Sequence, residues 1–503
     1  MKTRQTILCG LLAVIFALTF AACGDDNGDG GKTDPSLSGN ISISPASATI
    51  GQTLTAVYDG NETVSYQWKR GGSNLGTDTT QAADQAGSYT VTVSASGYTS
   101  KTSAPVIVPP PITAEGSTLA AKLAWLSSNA ASNSTYTFEV TADESIAPHT
   151  LSYADKSNIT IILKGTGAVR VVSLSSDGSL FTVESGVKLV LDENITLQGK
   201  SDNTASLVSV TDGGALEMKA GSKITGNTAN VSGGGVTVGE NATFTMNSGE
   251  ISGNSTVNGG GGVGVRGENG TFTMNNGKIS NNYAGENGGG GVLVSWNGTF
   301  TMNGGEISGN STVSGGGGVD MWRGTFTMNG GEISGNTATE LGGSGVYGSQ
   351  NSTFTMNNGR IYGNTTSNGR GGGVCLWNIT LTMNNGEISG NTAYQDGGGV
   401  FVGGENGTLI MNGGEITGNT SSSGGGGVCM SYNTIFRMVT GTIYGINESN
   451  ASLRNTASQN GAALFINYST AERGTFNGTT WESKGTLSAT NDTIRVVDGE
   501  LVQ

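Results

Sequence analysis

The sequence predicts an all-β protein: a right-handed parallel β-helix with three strands per coil of roughly 27 residues, preceded by a small β-sandwich. Three observations carry this reading. A block of about twelve residues recurs, cleanest at 325–336, and its methionine falls at Met246, Met274, Met302, Met328, Met356, Met383 and Met411, so successive gaps are 26 to 28 residues. Between copies, a glycine-rich turn runs into a short apolar stretch, as at 233–238 and 290–294. Each unit thus holds three runs, Gly-Val-x-Val, Thr-Phe-Thr-Met and Glu-Ile-Ser, that alternate apolar with polar residues. That alternation is the period of a half-buried strand, and the runs are too short and too rich in glycine for helices. Stacked coils about 4.8 Å apart would pair each strand with its copy above and below.

In chain order, Lys2 and Arg4 precede an apolar stretch at 7–20, and Phe20-Ala21-Ala22-Cys23 resembles the lipobox of bacterial lipoproteins, with Phe20 in place of the usual Leu. The resemblance implies a signal peptide at 1–22 and lipid attachment at Cys23. Residues 23–37, acidic and glycine-rich, read as a flexible tether. Residues 38–108 lack the glycine pattern. There Tyr66-Gln67-Trp68-Lys69 and the run 87–93 resemble the core-tryptophan and tyrosine-corner strands of immunoglobulin-like domains. That resemblance implies a sandwich without an inter-sheet disulfide, acting as a spacer. Asp84 stands one residue further from Gly87 than such corners usually place it.

Residues 109–116, with Pro109-Pro110-Pro111, form a proline-rich linker. Residues 117–135 carry helical spacing through Leu119, Leu123 and Leu126, as expected of a helix capping the first coil. The β-helix spans 136–503. Its regular repeats run from about 213 to 440, and a C-terminal cap follows in which 493–497 reads as a strand.

Within a coil the alternation assigns sides. Val236, Val238, Phe244, Met246 and Ile251 and their equivalents point inward, so Phe244, Phe272, Phe300, Phe326 and Phe354 should form one ladder and the repeated Ile another. Asn254, Asn282, Asn310, Asn336, Asn364, Asn391 and Asn419 recur at the Ile-x-Gly-Asn corner and read as a structural amide ladder. Glu250, Glu306, Glu332, Glu387 and Glu415 line up outward, relieved by Lys278 and Arg360. Cys375 and Cys429 fall on equivalent positions two coils apart, too far for a disulfide, so both are expected as free thiols.

The net charge of −14 argues against a nucleic-acid partner. No Gly-Lys-Ser/Thr follows the glycine runs, so they are not phosphate loops, and no cofactor or metal site is expected. Between Gly213 and Met430 the only aspartates are Asp320 and Asp396, and the single histidine, His149, lies outside the array. Polysaccharide lyases and hydrolases need clustered carboxylates, so no catalytic residue is assigned and the chain is expected not to be an enzyme.

Phe300-Thr301-Met302-Asn303 matches the Phe-x-x-Asn motif of the chlamydial polymorphic outer-membrane proteins, and Gly304-Gly305-Glu306-Ile307 is close to their Gly-Gly-Ala-Ile, with Glu for Ala. The array also resembles repeat-rich β-helical lipoproteins of spirochaetes and related host-associated bacteria, within the wider pectate-lyase-like superfamily. The resemblance covers about 210–440 and implies an adhesin. No barrel-forming sequence follows the array, so a lipid anchor is expected in its place, with display on the bacterial outer membrane as a monomer.

Repetition makes exceptions informative. The position after the first Val varies freely, reading Thr237, Gly264, Leu293, Asp320, Tyr347, Cys375, Phe401 and Cys429, and the strand ends beyond it carry Trp296, Trp322, Trp377 and Tyr432. Outward aromatics in a row can stack on sugars or anchor a protein. The ligand-binding candidates are therefore Trp296, Asp320, Trp322, Tyr347, Trp377, Phe401 and Tyr432, and the expected partner is a host protein or glycan. The alternatives are a polysaccharide-active enzyme and, more remotely, an ice-binding protein using the repeated Thr-x-Thr pairs such as Thr325/Thr327.

Overall fold

The computed structural model describes residues 34–502 apart from Asn287, Leu341 and Gly478. The expected signal peptide, Cys23 and most of the tether lie outside the described residues. The chain is nearly all-β and forms a parallel β-solenoid of about 12 turns. Its strands stack into three long sheets. We label sheet A the 12-stranded one holding Val236–Val238, sheet B the 15-stranded one holding Thr243–Met246, and sheet C the 14-stranded one holding Glu250–Ser252. The three expected strands per coil are present, and a two-residue run after each corner asparagine, such as Ser255–Thr256, adds a nine-stranded sheet D.

The register is continuous. Phe244, Phe272, Phe300, Phe326 and Phe354 pair coil to coil, and their rings stack 4.6–4.9 Å apart within 4–7° of parallel. The same line extends back through Leu216, Leu189 and Ile161 to Tyr136, and forward through Leu381 and Leu409 to Phe436. The irregular coils are thus the same coil with a different filling. The methionine and isoleucine ladders are fully buried with it.

The corner asparagines form the expected internal ladder. The backbone N–H and the side-chain amide of Asn310 both donate to Asn336 Oδ1 at 2.9 and 3.0 Å, and Asn336 Nδ2 donates to the Ile307 carbonyl at 2.9 Å. Asn203 and Asn227 extend this ladder at one end and Asn455 at the other. A second, exposed ladder links Asn247, Asn275, Asn303, Asn329, Asn357, Asn384 and Asn412 at 2.7–2.8 Å. On sheet C, Lys278 pairs with Glu306 at 3.0 Å and Arg360 with Glu387 at 3.1 Å, so the interrupting cations neutralise the glutamate row.

The ends are closed by different devices. The helix Leu119–Asn129 starts at Thr118, whose hydroxyl accepts from Ala121 N at 3.1 Å, and buries Leu119, Leu123 and Leu126 in the solenoid core with Tyr136 and Phe138. Ile112–Thr113, inside the expected linker, already pairs with sheet B. At the far end sheet B finishes in the antiparallel hairpin Thr470–Asn477/Thr480–Thr486, and sheet C in Ile494–Val497, antiparallel to Gly441–Ile443, followed by Glu500–Leu501.

Ahead of the solenoid, two small antiparallel sheets enclose a separate core containing Trp68, Tyr89, Val91 and Leu54. They touch the outer face of sheet B. Thr49 and Thr160 hydroxyls lie 3.3 Å apart, and Gln52 Nε2 donates to Asn158 Oδ1. Ile162 and Val190, outward on the same face, are buried.

Candidate functional site

The residue after the first Val points outward from sheet A, and Leu293, Asp320, Tyr347, Cys375, Phe401 and Cys429 are in register there. Outward does not mean exposed. The glycine-rich segment entering sheet A folds back over this line, and a Cβ at Gly288 (φ +70) or Gly315 (φ +98) would collide with the Asp320 carboxyl. Asp320 is therefore only 5% exposed and Phe401 only 2%. Their expected place on an open surface is corrected: both lie beneath glycine turns. Cys375, Phe401 and Cys429 form their own small apolar cluster with Tyr347 and Phe465. Both cysteines are free, as expected, but buried rather than outward-open, and burial pushes the Cys375 thiol up to about 12.

The strand ends beyond this line do reach solvent. Trp296, Trp377 and Tyr432 are 47%, 41% and 58% exposed, while Trp322 and Tyr347 are half-buried. Trp296 sits in a left-handed turn (φ 55°) with Asn297 (φ 65°), a conformation that disfavours a bulky side chain. The turn lifts its ring against Trp322, edge to face at 4.4 Å and 75°. The Arg323 guanidinium lies 5.1 Å from the centre of the Trp322 ring.

Four of the seven candidates converge on one groove of about 590 Å³, lined by Arg266, Trp296, Asp320, Trp322 and Tyr347. On the other side of Trp296 an adjoining hollow of about 400 Å³ is bounded by Glu268 and Arg323. Tyr347, Trp377 and Phe401 meet in a narrower slot of about 190 Å³, where Arg370 lies 5.1 Å from the Phe401 ring and 3.4 Å from Asp396. Tyr432 stands apart from these hollows, 6.0 Å from Tyr468.

Asp320 Oδ2 accepts from Gly316 N at 2.9 Å. Burial raises its carboxyl to about 7, against the lowering effect of that hydrogen bond. Arg266 and Arg323 have no carboxylate within ion-pair distance among the described residues. Sequence reasoning missed both. The available signal was positional, because Arg266 occupies the same strand-end line as Ser295 and Trp322. The groove and its adjoining hollow, with stacking rings, the Asp320 carboxyl and one unpaired guanidinium each, can hold a polar ligand that has flat apolar faces.

Among the described residues no group of three or more His, Cys, Asp or Glu side chains is placed to hold a metal ion. No family model, curated protein or solved structure matches the chain.

Proposed function

We propose that this protein is a lipid-anchored β-solenoid on the bacterial surface that binds a glycan or host ligand without catalysis, in the manner of an adhesin. One observation carries the reading: Trp296, Asp320, Trp322 and Tyr347, contributed by three successive coils, line a single groove. The repeat motifs shared with chlamydial-type adhesins, within the pectate-lyase-like superfamily, agree with it. The anchor at Cys23 and outer-membrane display rest on the lipobox-like sequence.

Residues 38–108 are read as an immunoglobulin-like sandwich. Support comes from the buried Trp68 and from the Tyr89 hydroxyl, which donates to the Gln85 carbonyl at 2.8 Å. Cleavage of a polysaccharide by paired carboxylates would need a second acid facing Asp320, and among the described residues Asp320 is the only carboxylate lining its groove.

The test is an array of glycans and extracellular-matrix proteins probed with the full chain. Binding to one class, abolished in Trp322→Ala/Trp377→Ala with an unchanged circular-dichroism spectrum, is the expected result. Equal binding by parent and double variant would remove the stripe from consideration.

A further inference from the structure

The strand-end line beyond sheet A has its own pattern. In register it holds Arg266, Ser295, Trp322, Ser349, Trp377 and Gly403. Trp322 and Trp377 are thus two coils apart with a serine between them. Two coils beyond Trp377 the line holds Ser431, and Tyr432 follows it in the turn after Val428–Met430, at the position Trp296 takes on the coil before Trp322. Two coils advance about 9.6 Å at the usual spacing of paired strands. The intervening steps are low: a Cβ at Gly403 would meet the Trp377 ring at 2.8 Å, so only glycine lets that ring lean over the next coil.

An extended β-linked polysaccharide presents a closely similar period. Successive pyranose rings are turned over relative to one another, so the same apolar face recurs at every second sugar, and two sugars advance by nearly the length of two coils. Rings at alternate coils with small polar residues between them would therefore stack on alternate sugars of a chain running along the solenoid axis. An α-linked chain coils away from such a straight track.

The charges select among such chains. The main groove offers one guanidinium, Arg266, and one carboxylate, Asp320, and the adjoining hollow offers Arg323 and Glu268. Neither hollow gathers several charges of one sign, which suits hydroxyls rather than carboxylates or sulfates. Asp320 Oδ1 has no hydrogen-bond partner among the described residues, although the residue is 5% exposed. At the wall of the groove that oxygen can accept from a ligand hydroxyl.

We propose that the stripe binds a neutral, extended β-linked polysaccharide along the solenoid axis, with alternate sugars on Trp322 and Trp377, a further sugar against Tyr432 at the far end, and hydroxyls held by Arg266, Arg323 and Asp320. This rests on the reading of the stripe as the ligand site. From Trp322 to Tyr432 is four coils, about 19 Å, so a chain of five or six sugars should fill the track.

Isothermal titration of the full chain with β-1,4-linked gluco-, N-acetylgluco- and manno-oligosaccharides, from disaccharide to octasaccharide, tests the proposal. For one series, affinity should rise up to the penta- or hexasaccharide and then level, and change little between low and high salt. Trp322→Ala and Trp377→Ala should each weaken the hexasaccharide at least about tenfold, and Trp322→Phe should restore most of the loss, which separates stacking from misfolding. Length-independent binding, equal affinity for malto-oligosaccharides, preference for hyaluronan oligosaccharides with steep salt dependence, or no binding to any neutral series would each overturn it. The broader reading survives those results if the double tryptophan variant still loses whichever array ligand the parent binds.

Discussion

Asp320 carries a sign that can be measured. Its carboxyl is raised from 3.8 to about 7 by burial. The native state therefore binds this proton more tightly than the unfolded chain does, so the residue favours folding at low pH. That contribution is lost as pH rises from about 4 to about 7, after which the buried anion is a net cost. Asp320→Asn keeps an acceptor for the Gly316 amide and removes the charge. We expect its melting temperature to exceed the parent's at pH 8 and the two to converge below pH 4, the gap reflecting on the order of a few kcal/mol at most. Glu306, held below its ordinary value by Ser308 and Lys278 against its burial, acts with the opposite sign, but in both proteins alike. Parallel melting curves across that pH range would show that the carboxyl is hydrated in solution.

At the scale of elements, the two asparagine ladders allow a controlled comparison. Asn336 is fully buried, and its Oδ1 is the acceptor for both the backbone and side-chain N–H groups of Asn310. Asn336→Ala leaves buried donors without partners and should cost about 3 kcal/mol or more. Asn329 makes a side-chain bond of similar length, 2.8 Å, to Asn303, but on the exposed face. Asn329→Ala should cost below about 1 kcal/mol, since water replaces the lost partner. Chemical denaturation of both variants decides it; equal losses would mean that the inner ladder is not a structural spine.

The inner ladder was legible in the sequence because the Ile-x-Gly-Asn corner keeps its spacing. Asn455 was not, since it lies 36 residues beyond Asn419, past an insertion that carries the short helical turn Ala451–Leu453. Asp320 and Phe401 failed differently. Strand alternation places them outward, but whether outward is open depends on how the preceding glycine segment folds back, which is not a property of the strand.

Across the whole molecule, solenoid sheets pair only with the coil above and below, so what happens at one end need not reach the other. The N-terminal sheets lie against the coils of Thr160 and Lys188, with Gly51 beside the Lys188 ammonium, whereas the aromatic stripe begins at Trp296 and runs away from them. The expected spacer is thus docked rather than free, held over Ile162 and Val190 on the outer face of sheet B. Placing two carboxylates under that contact should undock it, because burying a charge costs more than the apolar contact it replaces returns. For Ile162→Asp/Val190→Asp we expect small-angle scattering to report a larger maximum dimension while ligand affinity at the stripe stays within about twofold, as expected of distant, independent sites. An unchanged scattering profile would mean that the hydrogen bonds of Thr49 and Gln52 hold the sheets without the apolar contact. A large loss of affinity would mean that the two ends are mechanically coupled, and the nearest-neighbour description of this solenoid would then fail.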